Sequence, residues 1–307
     1  MPELPEVESI VRQLSSALTG RHVREVEMAR RDIVRGGPHA LEDVLPGREV
    51  RAVTRQAKRI QIELEGGVLA FHLGMSGRLT LAAAAAPVEK HTHVRIRLDG
   101  GDEELRFRDP RRFGGIWFLE NATTGQGRFF GKIGPEPLEL PLKDFRAILR
   151  RSRRQVKAAL LDQSIIAGLG NIYADEALFD AGVHPLRRTD TLGDDEARRL
   201  LASIKKVLRR AIRCNGSTLS DYRRADGSEG DFQRFHRVYQ KTGEPCPNCG
   251  AVIARLVAAG RSTHLCPRCQ PAPQAVVNLK ARARTPRRSA ERGRRPLSAP
   301  RSPGRQC

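Results

Sequence analysis

The 307-residue chain has no apolar run of membrane-spanning length and no basic amphipathic helix edged with exposed aromatic residues. Neither a spanning nor a surface-bound membrane protein is indicated. Its start lacks the basic segment and apolar run of a secretory signal, so a cytoplasmic location is expected. Nothing in it suggests a nucleotide cofactor. Acid is scarce as well. With 35 Asp and Glu against 55 Lys and Arg, the formal charge is +20 and the pI near 10.8. Ten of those cations lie in residues 270–307 against the single acid Glu291, so +9 belongs to the tail and +11 to the remainder. A charge of that sign and size implies a polyanionic partner, and with membranes disfavoured that partner is nucleic acid.

Disulfides are not expected in a reducing compartment, so six cysteines need another explanation. Cys246, Cys249, Cys266 and Cys269 form a C-x2-C-x16-C-x2-C pattern, with turn residues Pro247, Gly250 and Pro267 beside them. That spacing matches one structural zinc held by two short knuckles. His264 is a rival ligand that would spoil the symmetry and reads better as a strand residue. Cys214 and Cys307 read as free thiols.

Along the chain, Val7, Ile10, Val11, Leu14 and Leu18 fall at helical spacing and Gly20 is a stop, which predicts a helix over 5–18. Alternating runs at 59–64, 68–71, 93–98 and 105–108, joined by glycine turns, predict an antiparallel sandwich or barrel. Ala82 to Ala86 reads as a low-complexity loop without consequence. After Gly134-Pro135-Glu136-Pro137 the pattern turns helical: 156–161, then a Gly168-Leu169-Gly170-Asn171 break, 172–179 and 200–212. The break between two helices makes a helix–turn–helix-like unit whose helix N-terminal amides can hold phosphate. The fold class is therefore a multidomain α+β protein. It comprises a helix plus antiparallel β-sandwich at 1–134, helices at 135–242, a zinc ribbon at 243–270 and a basic disordered tail at 271–307.

The chain end carries the chemistry. If Met1 is removed, as the small Pro2 permits, the chain begins with a secondary amine, and Glu3 and Glu6 lie within four residues of it. Such an amine attacks an electrophilic carbon and yields an iminium, an electron sink like that of lysine Schiff bases. The helix dipole disfavours its protonated form. The plainer alternative is a proline at helix N1 followed by acids in the first turn. Lys58 falls on the inward side of the 59–64 strand if that strand is regular. If the strand starts after it, Lys58 is a surface residue. Met75 and Phe113 would ordinarily be core residues and Arg111 a solvated one, although Gly114-Gly115 marks a loop. Asn171 is also a plausible helix N-cap.

Five collinear motifs carry a resemblance. These are Pro2-Glu3-Leu4-Pro5-Glu6-Val7-Glu8, His72-Leu73-Gly74-Met75-Ser76-Gly77, Asp109-Pro110-Arg111-Arg112-Phe113-Gly114, Gly170-Asn171-Ile172-Tyr173-Ala174 and the four cysteines. From residue 2 to about residue 270 the chain resembles the formamidopyrimidine-DNA glycosylases of the bacterial Fpg/Nei family. Leu4 and Met75 favour the oxidised-purine branch over the endonuclease VIII branch, which prefers oxidised pyrimidines. The resemblance implies a helix-two-turn-helix DNA-binding domain and a base-excision repair enzyme that removes 8-oxoguanine and formamidopyrimidines. It also implies abasic-site lyase activity by β,δ-elimination through a Pro2 Schiff base, with double-stranded DNA bearing such lesions or abasic sites as the partner.

By the same resemblance Glu3 is the general acid–base and Glu6 a supporting carboxylate. Lys58 binds phosphate beside the lesion and lowers the Pro2 pKa, and Arg261 grips the lesion phosphate. Met75, Arg111 and Phe113 form the wedge that fills the gap left by a flipped base. His91 and Asn171 are DNA contacts. Ser152 stands where relatives carry a phosphate-binding lysine, so that contact is expected to pass to Arg153 or another neighbour. Gly230-Asp231-Phe232 stands where an aromatic pair is usual in the loop over the flipped base. A monomer is expected. The competing readings are an oxidised-pyrimidine glycosylase and a non-catalytic zinc-ribbon nucleic-acid-binding protein.

Overall fold

The computed structural model describes residues 1–121 and 131–273, and Met1–Ala272 form one compact unit. The tail expected to be disordered, and with it Cys307, lies outside the described residues beyond Pro273.

Helix α1 (Leu4–Leu18) buries the anticipated stripe of Val7, Ile10, Val11, Leu14 and Leu18. It is followed by strands β1 (Val23–Met28) and β2 (Val34–Gly36), a single turn α2 (Leu41–Val44), and strands β3 (Val50–Gln56), β4 (Arg59–Leu64) and β5 (Gly67–His72). Strands β6 (Arg78–Ala83), β7 (Thr92–Leu98), β8 (Glu103–Arg108) and β9 (Gly115–Glu120) complete two sheets. Their orders are β1-β7-β8-β6 and β2-β9-β5-β4-β3. All pairs are antiparallel except β2 with β9, which is parallel. Inward residues of both sheets and of α1 share one core, in which Phe71 meets Phe107 edge-on at 5.6 Å.

Two expectations change here. Ala82 and Ala83 belong to strand β6 and pair with Glu104 and Glu103. The carbonyls of Ala83, Ala86 and Pro87 accept hydrogen bonds from the Arg106 guanidinium, so the segment ties down a buried cation. Lys58 does not extend β4. Gln56 pairs with Arg59, leaving Ala57 and Lys58 as a two-residue turn with Ala57 at φ 56°. Glu136 holds that turn, accepting from the Ala57 amide at 2.6 Å and from the Arg55 guanidinium. Lys58 is nonetheless buried, on the wall of a cavity that reaches Met1.

Helices α3 (Leu142–Arg151), α4 (Val156–Leu161), α5 (Asn171–Ala181) and α6 (Asp194–Arg213) surround a second core. Helix α6 starts before the expected residue 200 because Asp194, Asp195 and Glu196 complement its N-terminus. Gly182 closes α5 in the left-handed conformation at φ 69°. Leu4 packs in this helical core while Val7 onwards pack in the sandwich core. The first turn of α1 therefore lies at the junction of the two. Strands β10 (Ala254–Ala258) and β11 (Arg261–Leu265) form a hairpin with the cysteine knuckles, joined by Phe179, Val238 and Ile253 in a third small core. Among the described residues no helix is long and apolar enough to cross a membrane.

Candidate active site at the chain end

Pro2 is buried, whereas Met1 is 50% exposed. The next two acids are deeply buried, Glu3 at 3% and Glu6 at 2% exposure. Burying a carboxylate costs several kcal/mol unless donors surround it. Glu3 finds them at the N-terminus of α5, 167 residues away: Gly170 N–H at 2.7 Å, Ile172 N–H at 2.9 Å and Tyr173 N–H at 3.4 Å. Orphan amides and the positive end of a helix make this an anion site. Gly170 is required, since a Cβ there would lie 2.3 Å from Glu3 Cδ. These amides were expected to hold DNA phosphate; they hold the chain's own carboxylate instead.

Glu6 is equally committed. Its Oε2 accepts the Glu3 amide at 2.8 Å, and its Oε1 accepts the Ser217 amide at 2.7 Å and the Tyr173 hydroxyl. Burial raises the pKa of Glu3 to about 7; Glu6 adds to the rise, while Lys58 and the amide donors oppose it. Burial also lifts Glu6, against its hydroxyl and amide donors. Lys58, 6% exposed, is pushed down by burial and by Arg261, while Glu3 and Glu6 pull it up. Burial lowers the pKa of the Met1 amine, with Lys58 assisting and Glu3 and Glu6 opposing.

Two cavities meet at Met1. One is lined by Pro2, Glu6, Met75, Ile172, Ser217 and Tyr222 among others. The second is basic, with Lys58, Arg59 and His72 along its wall.

The expected wedge residues stand on adjacent loops with their apolar parts in solvent, Met75 43% and Phe113 57% exposed. The Arg111 guanidinium lies over the Phe113 ring at 4.6 Å. A core role for either apolar side chain is thereby excluded. The loops approach closely because Gly74 has no Cβ: one would meet Gly114 N and Phe113 C at 2.5 Å. Asp109, with no exposure, organises both. It accepts from the Ser76 hydroxyl (2.8 Å), Arg111 N–H (3.3 Å) and Gly114 N–H (2.8 Å). His91 is exposed at φ 71°, and its carbonyl accepts the Asp109 amide.

Asn171 is the first residue of α5 rather than its N-cap, which is Gly170. Its amide group donates to the Ser262 carbonyl of the finger hairpin at 2.9 Å. Lys157, fully buried, donates to Asp175 (2.6 Å) and Thr263 (2.7 Å), while His264 meets the other oxygen of Asp175. These contacts anchor the hairpin whose tip carries exposed Arg261, a cation whose field helps depress the Lys58 pKa. His264 is thus a strand residue. Arg153 is exposed in the α3–α4 connection and lines a cavity with Arg151 and Arg154. Phe232 does not belong to the pocket wall; it is buried against Tyr173.

The four cysteine sulfurs lie within 4.8 Å of one another. Sγ separations of 3.8 Å (Cys246–Cys269), 3.5 Å (Cys249–Cys266) and 3.5 Å (Cys249–Cys269) approach the edge of about 3.8 Å of a tetrahedron with zinc–sulfur bonds of about 2.3 Å. Amides of Asn248 and Cys269 point at Cys246 and Cys266 sulfur, as in zinc knuckles. The donor set fits one structural zinc.

Tyr173, Ser217, Gly170, Asp109 and Glu136 were not singled out by sequence reasoning. Three of them lie inside quoted motifs; Ser217 and Glu136 carry no local signal.

Residues 1–116 match the formamidopyrimidine-DNA glycosylase N-terminal domain, 133–223 its H2TH domain and 243–272 the zinc finger found in FPG and IleRS. The chain is 45% identical over 272 residues to a formamidopyrimidine-DNA glycosylase of Solibacter usitatus, covering 88% of this chain and 99% of that one. It is 43% identical to that of Herpetosiphon aurantiacus over 275 residues, 88% of this chain and 100% of that one. Among solved structures it is similar to the Lactococcus lactis protein in complex with DNA containing Fapy-dG, with TM-score 0.82 and 37% identity, covering 88% and 100% of the two chains. It is also similar to a MutM complex with DNA containing carbocyclic 8-oxo-G, with TM-score 0.81 and 36% identity over the same shares. With three family domains in order over a site of this geometry, the chain belongs to the formamidopyrimidine-DNA glycosylase family.

Proposed function

We propose that this DNA glycosylase, once Met1 is removed, excises oxidised purines from double-stranded DNA and cleaves the resulting abasic site through Pro2. The observation that carries the reading is a buried Pro2 on the wall of one of two cavities that meet at Met1, the other basic, with an amide-clamped carboxylate as the next residue. The Pro2 nitrogen attacks C1′ of the damaged nucleotide. The glycosidic bond breaks, its electron pair leaves with the base, and the base takes up a proton. Glu3, with a carboxyl pKa near 7, exchanges protons with the opening sugar at neutral pH. The C1′–O4′ bond opens, O4′ takes up a proton, and the iminium left at C1′ acidifies the C2′ proton. Loss of that proton expels the 3′ phosphate, and a second elimination expels the 5′ phosphate.

Glu6 positions the nucleophile. Lys58 and Arg261 hold the lesion phosphate and favour an unprotonated Pro2. Met75, Arg111 and Phe113 fill the gap left by the flipped nucleotide, with Arg111 donating to the widowed base. His91, Asn171 and Arg153 contact the flanking backbone, and the zinc sets the finger that carries Arg261. The protein works as a cytoplasmic monomer.

Borohydride reduction during reaction with an 8-oxoguanine duplex tests this. A covalent protein–DNA product is expected, and it disappears in Pro2→Gly or when Met1 is retained. No trapped product with any damaged or abasic duplex would leave only a binding protein. Faster excision of oxidised pyrimidines than of oxidised guanine would move the enzyme to the other branch.

A further inference from the structure

From Glu6 a line of side chains runs through Ser217, on the cavity wall, to a buried imidazole. Tyr173 hydroxyl donates to Glu6, Ser217 Oγ lies 3.4 Å from that hydroxyl, and His236 Nε2 lies 3.0 Å from Ser217 Oγ. His236 follows the 3-10 turn Phe232–Phe235 and is 8% exposed. Its ring stands edge-on to Phe232 at 5.7 Å and to Tyr239 at 5.5 Å. One assignment of protons uses every contact. Tyr173 gives its proton to Glu6 and accepts from Ser217, and Ser217 in turn accepts from a protonated Nε2 of His236. In the opposite sense, with Ser217 donating to His236, the Tyr173–Ser217 contact has no proton left to share. Donors aligned head to tail polarise one another towards the carboxylate. Burial, with Lys241 assisting, lowers the His236 pKa to about 4, so the ring is neutral at physiological pH and contributes a dipole rather than a charge.

We propose that His236 is a positioning residue for the reaction at the chain end: through Ser217 and Tyr173 it orients the hydroxyl donors on Glu6 and keeps that carboxylate ionised beside the Pro2 nitrogen. This rests on the Pro2 chemistry proposed above. The other titratable groups facing Glu6 are Glu3 and the terminal amine, Lys58 from the β3–β4 turn, Tyr173 from α5 and Tyr222. Of these, only Tyr173 is hydrogen-bonded to Ser217 Oγ. Weakening the donors removes stabilisation from the charged form of Glu6, so its pKa moves up.

The test uses the full chain with Met1 removed, and reads borohydride trapping and single-turnover excision from pH 5 to 9. His236→Leu fits among Phe232 and Tyr239 but donates nothing. The limb that depends on ionised Glu6 should move up by about one pH unit, with the rate below it falling about tenfold, the worth of one hydrogen bond; a downward move would report easier deprotonation of the amine as Glu6 loses its charge, and would overturn the proposal. Affinity for a duplex with an uncleavable abasic analogue should stay within about twofold. His236→Gln places an amide N–H near the former Nε2 and should recover the wild-type limb. Ser217→Ala should reproduce the shift, and adding His236→Leu to it should shift it no further. An unmoved limb in His236→Leu, or a Gln variant that behaves like Leu, overturns the proposal. If the wild-type enzyme itself gives no trapped product, the Pro2 reading fails instead.

Discussion

Gly170→Ala is the smallest change that separates the amide cradle from the acid it holds. The added Cβ would lie 2.3 Å from Glu3 Cδ, 2.5 Å from Oε1 and 2.7 Å from Cγ. Carbon atoms rest at about 3.5–4.0 Å, so the overlap exceeds an ångström and cannot be absorbed by small adjustments. The Gly170 backbone is extended, at φ −134°, and alanine adopts that without strain. The whole effect therefore falls on Glu3. Its carboxyl leaves the Gly170, Ile172 and Tyr173 amides, each such bond to an ion being worth roughly 1.5–3 kcal/mol. Water replaces part of that, so stability should fall by only about 1–3 kcal/mol. Catalysis should suffer more, because a misplacement of about 1 Å in a reacting group costs roughly a hundredfold in rate. Single-turnover excision of 8-oxoguanine reads the rate, and urea unfolding reads the stability. Binding to an uncleavable abasic duplex should stay within a few-fold. In a Glu3→Ala background the clash is gone, and Gly170→Ala should then cost little. A folded Gly170→Ala enzyme with wild-type excision would refute the idea that the cradle positions Glu3.

Glu3→Gln probes the same carboxyl through pH. Its folded pKa of about 7 lies above the ordinary 4.5. The folded state therefore binds more protons between those values, so this contribution is complete below 4.5 and is lost as pH rises towards 7. A glutamine does not titrate. In chains that retain Met1, the stability of the variant relative to wild type should improve by roughly 3 kcal/mol from pH 4 to pH 8, whatever the constant offset. Parallel urea-derived stability curves would show that Glu3 is not shifted. Asp109→Ala leaves the Ser76 hydroxyl and the Arg111 and Gly114 amides without their acceptor, and should destabilise by about 2–4 kcal/mol. It should also lower excision of 8-oxoguanine more than tenfold relative to strand cleavage at a preformed abasic site, because the wedge loops serve base extrusion. Equal losses on both substrates would argue against that division.

Much of the frame was legible because it is periodic. The apolar stripe of α1, the alternation at 59–64 and 93–98 and the cysteine spacing each repeat at the interval of the structure they encode. Strands β2, β6 and β9 were not anticipated, and β1 and β3 escaped because their burial is irregular, with two consecutive exposed residues inside β1. Counting along the strand left Lys58 open between an inward and a surface position, and β4 begins only at Arg59. The turn that carries Lys58 is held by Glu136, some eighty residues on. The site has the same character. Glu3 with Gly170, Glu6 with Ser217 and Ser217 with His236 are polar pairs between distant segments, and periodicity reports only which face is covered, never which donor meets which acceptor. The motifs did mark the ends of several such pairs, because a glycine forced by a neighbour's carboxylate, or an aspartate that caps a loop, has to sit beside the residue it serves. Where a partner lies in no motif, as with Ser217, His236 and Glu136, only the folded chain brings it into view.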